Sequence, residues 1–318
     1  TSRAVYVIDK LGIADLLKSG AKSAEELAEK TGMHAPSLYR LLRALASVDM
    51  LASRPGGRFG LTPLSELLVT DAPGSMRWFV VSELGQEHYP AWGNLMHSLK
   101  TGEIAFDNHF GVDIWKYFQQ NPEDGAVFND SMSSMTAVVN EKITSLYDFS
   151  RFNKIVDIGG GHGGLITSIL TANPQAFGVL FDAPQVVEGA RPKIEAAGLA
   201  DRCATIAGDF FKSVPAGGDA YIMKWIIHDW DDERAIRILS NCRSQMTRNG
   251  RVIIVDCVVP EGDEPDFSKF FDLNMLVMTG GKERTAKEFE EILSAAGFGF
   301  LRVIPTGLPT SMVEAQPV

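Results

Sequence analysis

The spacing of apolar residues changes near residue 150. Ahead of that point they recur mostly at helical intervals, as in AEELAEKTGMHAPSLYRLLRALASVDML, where Leu38, Leu41, Leu42 and Leu45 fall on one face. Beyond it, the short apolar runs KIVDI, FGVLFD, CATIAGD, DAYIMK and RVIIVD predict strands. The segments GGLITSILTAN, PQVVEGARPKIEAAG and DDERAIRILSNCRSQM predict the helices between them. Strand and helix in alternation build βαβ units, hence a parallel sheet covered by helices on both faces. The closing stretch FGFLRVIPTGLPTSMVEA differs, because its Gly/Pro turn is too short for a crossover helix. The last strand is therefore expected to run antiparallel.

Composition narrows the function classes. A chain of 318 residues with 45% hydrophobic and 22% charged residues has the means to build one large or two ordinary cores. A formal net charge of -10 argues against a nucleic acid as the default partner. No apolar run approaches the roughly 20 residues that span a bilayer, so neither a nucleic-acid nor a membrane partner is expected. Cys203, Cys242 and Cys257 lack metal-type or paired spacing, which predicts reduced thiols and a cytoplasmic location. The chain opens on Thr1 with neither a methionine nor a signal-peptide pattern, so some natural residues are expected ahead of it.

The first predicted strand of the second half runs into VDIGGGHGG. Glycines 159, 161 and 164 fit the dinucleotide fingerprint; glycines 159, 161 and 163, with Asp157 two residues ahead, equally fit the loop of adenosylmethionine-binding enzymes. Later strand ends separate the two. Asp182 in VLFDAP suits ribose hydroxyls in either case. Asp209 in AGDFF adds an acid for the adenine amino group, followed by Phe210 to cover the base, which favours S-adenosylmethionine. All these residues converge on the crevice at the carboxyl edge of an open sheet. The histidine of MKWIIHDWDDE, His228, follows the fourth strand and faces the same edge.

Five motifs in order, DIGGGHGG, FDAP, GDFF, MKWIIHDWDDE and GGKERT, resemble the S-adenosylmethionine-dependent O-methyltransferases that include caffeate-type, hydroxyindole and antibiotic-tailoring enzymes. Weaker likeness runs forward through LGIADLL and SLYRLLRALAS, so the resemblance covers nearly the whole chain. It implies a Rossmann-like class I α/β fold with an antiparallel last strand, preceded by a mainly helical, winged-helix-like dimerisation domain. The implied divisions are residues 1–100 for dimerisation, 101–150 as a helical linker and acceptor region, and 151–318 as the catalytic domain. By motif match His228 is the general base, with Asp256 (ending its strand) and Glu283 against it. The cofactor set becomes Asp157, Gly159, Gly161, Asp182, Asp209, Phe210, Lys224 and Trp230. The likeness also points to Phe128, Met132, Met135, Asn274, Met275 and Met278 as residues near a small aromatic acceptor, S-adenosyl-L-homocysteine being the second product. Thioethers adapt to flat rings, although methionines at this spacing also suit a core. Asp229, Asp231 and Asp232 read as acids at a helix start. No metal is expected, since no His/Cys cluster offers one.

The chemistry explains why a base would need help. A free phenol has a pKa near 10 and His near 6.5, so full proton transfer is uphill by ~5 kcal/mol unless the site supplies the difference. Two other outcomes use the same scaffold: N-methylation, or hydroxylation and decarboxylation with the cofactor bound. A third class comes from KSAEELAEKTG and HAPSLYRLLRALASVDML followed by the Gly-rich RPGGRFGLTP, which together read as a winged helix-turn-helix. Arg40 and Arg43 alone are too few basic residues for a DNA-reading helix, which favours a dimer module over a regulator.

Overall fold

The computed structural model describes the backbone of residues 1–318 and all side chains except those of residues 129, 130 and 133–137. The chain divides into two compact units, residues 1–93 with 114–135, and residues 94–113 with 136–318. A helix from Pro122 to Leu146 runs through the third change of unit, at residues 135–136.

Local signals set the elements of the first unit. Ser23 caps the helix Ala24–Thr31: its hydroxyl accepts from the Glu26 amide while Glu26 accepts from the Ser23 amide. The next helix, Ala35–Ala46, has Pro36 in its first turn and buries Leu38, Leu42 and Leu45 against Leu17 and Leu27; Leu41 is only partly covered. Strands Ala52–Arg54 and Arg58–Gly60 then form the predicted wing, turning on Gly56 and Gly57 at positive φ.

The second unit is the expected sheet. In chain order it comprises β1 (Lys154–Ile158), α1 (Gly164–Ala172), β2 (Phe177–Asp182), α2 (Pro184–Ala196), β3 (Cys203–Ala207), β4 (Ala220–Lys224), α3 (Asp232–Gln245), β5 (Arg251–Val259), α4 (Phe267–Met278), α5 (Ala286–Ala295), β6 (Phe298–Pro305) and β7 (Thr310–Pro317). Strand order is β6-β7-β5-β4-β1-β2-β3, with Arg284–Thr285 added beside β5. Strands β1 to β5 pair in parallel, and β7 pairs antiparallel with both β5 and β6, as the short last turn requires. Successive strand residues face opposite sides, so neighbours enter different cores. Ile155, Leu180, Ile222 and Ile253 pack on one face; Val156, Phe181, Tyr221 and Ile254 pack on the other. Two strand-end expectations are corrected. Asp256 lies within β5, which continues to Val259, and Asp209 lies two residues beyond the end of β3.

One buried acid ties the antiparallel edge to the helical segment ahead of the sheet. Glu314 on β7 accepts from Tyr147 Oη at 2.6 Å, Arg151 Nη2 at 2.6 Å and Arg302 Nε at 2.8 Å. Burial pushes its carboxyl up, but these donors outweigh it and hold the group below the ordinary 4.5. A depressed acid adds stability above its unfolded pKa and loses it as pH falls through the folded value. Glu314→Gln should therefore lower unfolding stability at pH 7 by about 2 kcal/mol, the scale for hydrogen bonds to a charged group. Denaturant titrations should show the gap from the parent protein narrowing as the pH falls below the ordinary glutamate range.

Candidate active site

The carboxyl ends of the parallel strands gather the sequence-predicted residues on one edge. After β1 the chain turns through Gly159, Gly161 and Gly163, whose φ values of +67°, +58° and +83° lie in the left-handed region. A Cβ on Gly159 would come within 2.3 Å of Ile226 Cδ1, so that side chain would have to shift, and the φ of +67° strains any other residue there. A Cβ on Gly161 would meet nothing within 4 Å, and the loop opens onto free space there. Asp182, at the end of β2, accepts from the Gly161 amide at 2.8 Å and the Ala183 amide at 2.6 Å. It organises the glycine loop as well as ending its own strand. Burial lifts its carboxyl despite these two bonds.

Behind this loop lies a buried acid and amine. Asp157 on β1 is raised to about 7 by burial, against the pull of Lys224. Lys224, ending β4, is lowered to about 7 by burial, against the pull of Asp157. Its ammonium donates to Asn140 Oδ1 at 3.2 Å and sits 4.5 Å from the centre of the Trp225 ring. Asp157 Oδ2 is buried without a hydrogen-bond partner among the described residues. On the far side of the edge, Trp230 meets Phe211 and Phe210 edge-on at 4.8 and 6.1 Å, and its buried Nε1 likewise has no partner among the described residues. Asp209, just ahead of these two phenylalanines, is exposed, accepts from the Phe211 amide at 2.9 Å and pairs with Lys212. A positive-φ glycine loop open at Gly161, an acid at the neighbouring strand end and polar atoms with no partner among the described residues suit an adenosine-bearing ligand.

His228 is carried by a 3₁₀ turn, Ile227–Asp229, just past β4. The chain enters this turn through Trp225 at φ +56°, a conformation that a bulky side chain adopts only under constraint. The His228 ring is buried, and its Nδ1 donates to Glu283 Oε1 at 2.7 Å. A carboxylate only accepts, so Nδ1 carries the hydrogen and Nε2 is the nitrogen free to take a proton. Burial pulls the imidazole down, but Glu283 first, then Asp256 and Asp229, outweigh it and raise the pKa to about 10. Asp256 is fully buried and neither of its oxygens has a hydrogen-bond partner among the described residues, so it acts on His228 through charge. Burial also raises Asp256, to about 7, against the attraction of His228.

The reading of Asp229 as a helix-start acid is corrected. The turn places its Oδ1 3.9 Å from His228 Nε2, and burial lifts it to about 6. Asp231 caps α3 instead, accepting from the Arg234 amide at 2.8 Å.

The residues expected near an acceptor divide between the two units. Asn274, Met275 and Met278 are buried on α4. The same helix supplies Phe271, stacked on Phe267 with its ring centre 6.1 Å from that of His228. This aromatic pair was missed, although the i, i+4 spacing in FSKFF carried the signal. In the first unit Phe128 stacks on Phe118 at 4.9 Å and meets Trp115 edge-on at 6.1 Å, while Met132 is half-buried. The side chain of Met135 lies outside those described. Among the described residues no group of three or more His, Cys, Asp or Glu side chains could hold a metal, and no helix is long and apolar enough to cross a membrane.

Comparison with known proteins places this geometry. A family model described as an O-methyltransferase domain matches residues 92–299, and one described as an O-methyltransferase dimerisation domain matches residues 1–71. The chain is 46% identical to a phenazine O-methyltransferase of Lysobacter antibioticus, over all of this chain and 93% of the relative. A solved structure of LaPhzM, also 46% identical, superposes with a TM-score of 0.92 over 100% of this chain and 95% of that one. A neocarzinostatin-biosynthesis O-methyltransferase, solved with S-adenosylmethionine and 2-hydroxy-5-methyl naphthoic acid, is 32% identical with a TM-score of 0.88, covering 100% of this chain and 96% of that one.

The GGKER segment can reach the histidine turn only because Gly281 has no side chain. A Cβ there would fall 1.9 Å from the His228 carbonyl oxygen and 2.5 Å from the Asp229 carbonyl carbon, backbone atoms that cannot rotate away. Gly281→Ala should cost about 2 kcal/mol or more, as forced overpacking does. It should also speed hydrogen exchange at the Lys282 amide, which donates to His228 O at 2.9 Å. An unchanged Lys282 protection factor would contradict this packing argument.

Proposed function

The chain belongs to the O-methyltransferase family, with S-adenosylmethionine as methyl donor, and we propose that it methylates a hydroxyl on a small aromatic acceptor with His228 as general base. The observation carrying this reading is the bond from His228 Nδ1 to Glu283, which fixes the tautomer and leaves Nε2 to receive the acceptor's proton. When bound, the donor's sulfonium supplies an electrophilic methyl group, so the protein's share of the work is alignment and proton removal. Glu283 orients the imidazole and stabilises its charged form, as the acid does in other histidine–acid pairs. Asp256 adds charge from inside the sheet. Together with Asp229 they lift His228 to about 10, which narrows the mismatch with a phenol expected from unperturbed groups.

For the cofactor, we assign Asp182 to the ribose hydroxyls, with Gly159 and Gly161 giving the loop its close approach. Asp157 and Lys224 are placed toward the amino-acid and adenosine parts, and Asp209, Phe210 and Trp230 toward the adenine. For the acceptor, Phe128, Met132, Met135, Asn274, Met275 and Met278 are carried as wall residues. An aromatic ring is favoured by the company the chain keeps: one relative is named for a phenazine and another was solved with a hydroxylated naphthoic acid.

A base lifted this far holds its proton at neutral pH, so the rate should rise with pH as the unprotonated fraction grows. Phenols, hydroxynaphthoates and hydroxyphenazines should be offered with methyl-labelled S-adenosylmethionine and the products fragmented by mass spectrometry. O-methyl ethers are expected; methyl on nitrogen, or a hydroxylated or decarboxylated product, would refute the acceptor assignment. His228→Ala should slow turnover roughly 10²- to 10⁴-fold, the range for a positioned general base. Glu283→Gln removes the largest influence raising the imidazole, so the acid limb of kcat/KM should move to lower pH while kcat drops. An acid limb that stays in place would dissociate Glu283 from the base.

We also assign residues 1–100 to homodimer assembly, 101–150 to the acceptor region and 151–318 to the cofactor and chemistry. The dimerisation-domain match over residues 1–71 supports the first. Asp9, Asp15, Glu25, Glu26 and Glu29 deny that segment the basic face a DNA reader needs. Light scattering should give about twice the 34.7 kDa of one chain, and no duplex DNA should shift at micromolar protein and low salt.

A further inference from the structure

Arg284 is the bulkiest of the fully buried side chains, with 0% exposure. Arginine is almost never sealed in unless paired, yet its carboxylate partner, Asp232, is 51% exposed at the rim. Nε and Nη2 both reach Asp232 Oδ1, at 3.0 and 2.8 Å. The other bonds go to main chain: Nη1 donates to Ile227 O at 3.1 Å and Lys282 O at 3.4 Å, and Nη2 to Trp230 O at 2.8 Å. Ile227 and Trp230 flank His228 on either side. The carbonyl between them, His228 O, takes the Lys282 amide. A turn of three residues makes few bonds of its own, here Trp230 N to Ile227 O at 3.3 Å, and the segment Lys282–Arg284 adds donors to Ile227 O, His228 O and Trp230 O.

We propose that Arg284 is a positioning residue of the methyl-transfer site: its guanidinium fork, on the Ile227 and Trp230 carbonyls, fixes the turn that aims the His228 ring. This rests on His228 being the base. The preceding residue, Glu283, grips the ring while its own amide donates to Asp272 Oδ1 at 2.8 Å, so one segment holds the histidine by both backbone and side chain. The charged groups facing His228 are Glu283, Asp256 and Asp229; burial raises Asp256, His228 draws it down, and Arg284 adds a smaller pull in the same direction. Lysine at 284 would keep that charge and lose the planar fork, because its donors radiate from one nitrogen. The substitution therefore separates aim from electrostatics.

The test compares the full-length parent with Arg284→Lys, Asp232→Asn, His228→Ala and the Arg284→Lys/His228→Ala double variant, each checked for folding by circular dichroism. Arg284→Lys should lower kcat roughly ten- to hundredfold, the scale for a reacting group displaced by about an ångström. The acceptor KM and calorimetric S-adenosylmethionine affinity should stay within about twofold, and the acid limb of the pH profile should not move. In the His228→Ala background the same change should cost little more, since groups acting as a unit are not additive. Asp232→Asn, a rim substitution the fold tolerates more readily, should show a smaller loss of kcat in the same pattern. A folded Arg284→Lys with parental kcat, a loss confined to KM or cofactor affinity, or full additivity with His228→Ala would overturn the proposal. If Arg284→Lys does not fold, a parental kcat in Asp232→Asn overturns it. A near-parental rate in His228→Ala would instead defeat the general-base reading, a result separable from a slow His228→Ala paired with a parental Arg284→Lys.

Discussion

A 2.7 Å hydrogen bond between residues 55 apart in sequence organises this molecule's chemistry. To bring Glu283 to His228 the chain must finish β4, turn through a strained Trp225, build α3 and β5, lay down α4 and return past Gly281. Burial makes the bond matter. In water a histidine and a carboxylate gain little from one another, whereas in a low-dielectric site this contact, with the charges of Asp256 and Asp229, outweighs desolvation and carries the imidazole to about 10. The fold's investment in parallel strands is what provides that dry carboxyl edge.

The sheet was legible because its determinants are local. Five short β-branched runs with helices between them leave few alternatives, and a Gly/Pro turn too short to cross over dictates the antiparallel end. Gly159 and Asp182 were legible for a similar reason: a positive φ and a strand-end acid are demands that leave particular residue types behind. Asp229 was misread because DWDDE offers several acids to one helix start, and only the break of the 3₁₀ turn decides which of them faces inward. Asp256 was legible in identity and not in mode of action, since a buried carboxyl without a hydrogen bond looks the same in sequence as one with two.

Arg284 was the hardest to read. Its neighbours in the chain, Lys282 and Glu288, form ordinary rim contacts with each other, and nothing in GGKERT says which cation goes inward. The choice is made by Asp232 and by the carbonyls of Ile227 and Trp230, none of them near in sequence. Tertiary contacts of this kind lie beyond periodicity and motif spacing alike. Phe271 is an intermediate case: its helical pairing with Phe267 was visible, but its approach to the His228 ring depends on how α4 packs.

The charge inventory around His228 gives these contacts a common logic. Glu283, Asp256 and Asp229 stand against two cationic groups, the imidazolium and Arg284, and burial lifts Asp256 and Asp229 rather than leaving three free anions side by side. A buried excess of acid favours one further positive charge nearby. In the proposed reaction the hydroxyl proton would pass to His228, so the imidazole would come to hold the one positive charge that a bound sulfonium donor brings to the site. On that reading, acids that hold His228 too basic to be a good resting base are suited to the charged state in which the reaction would end.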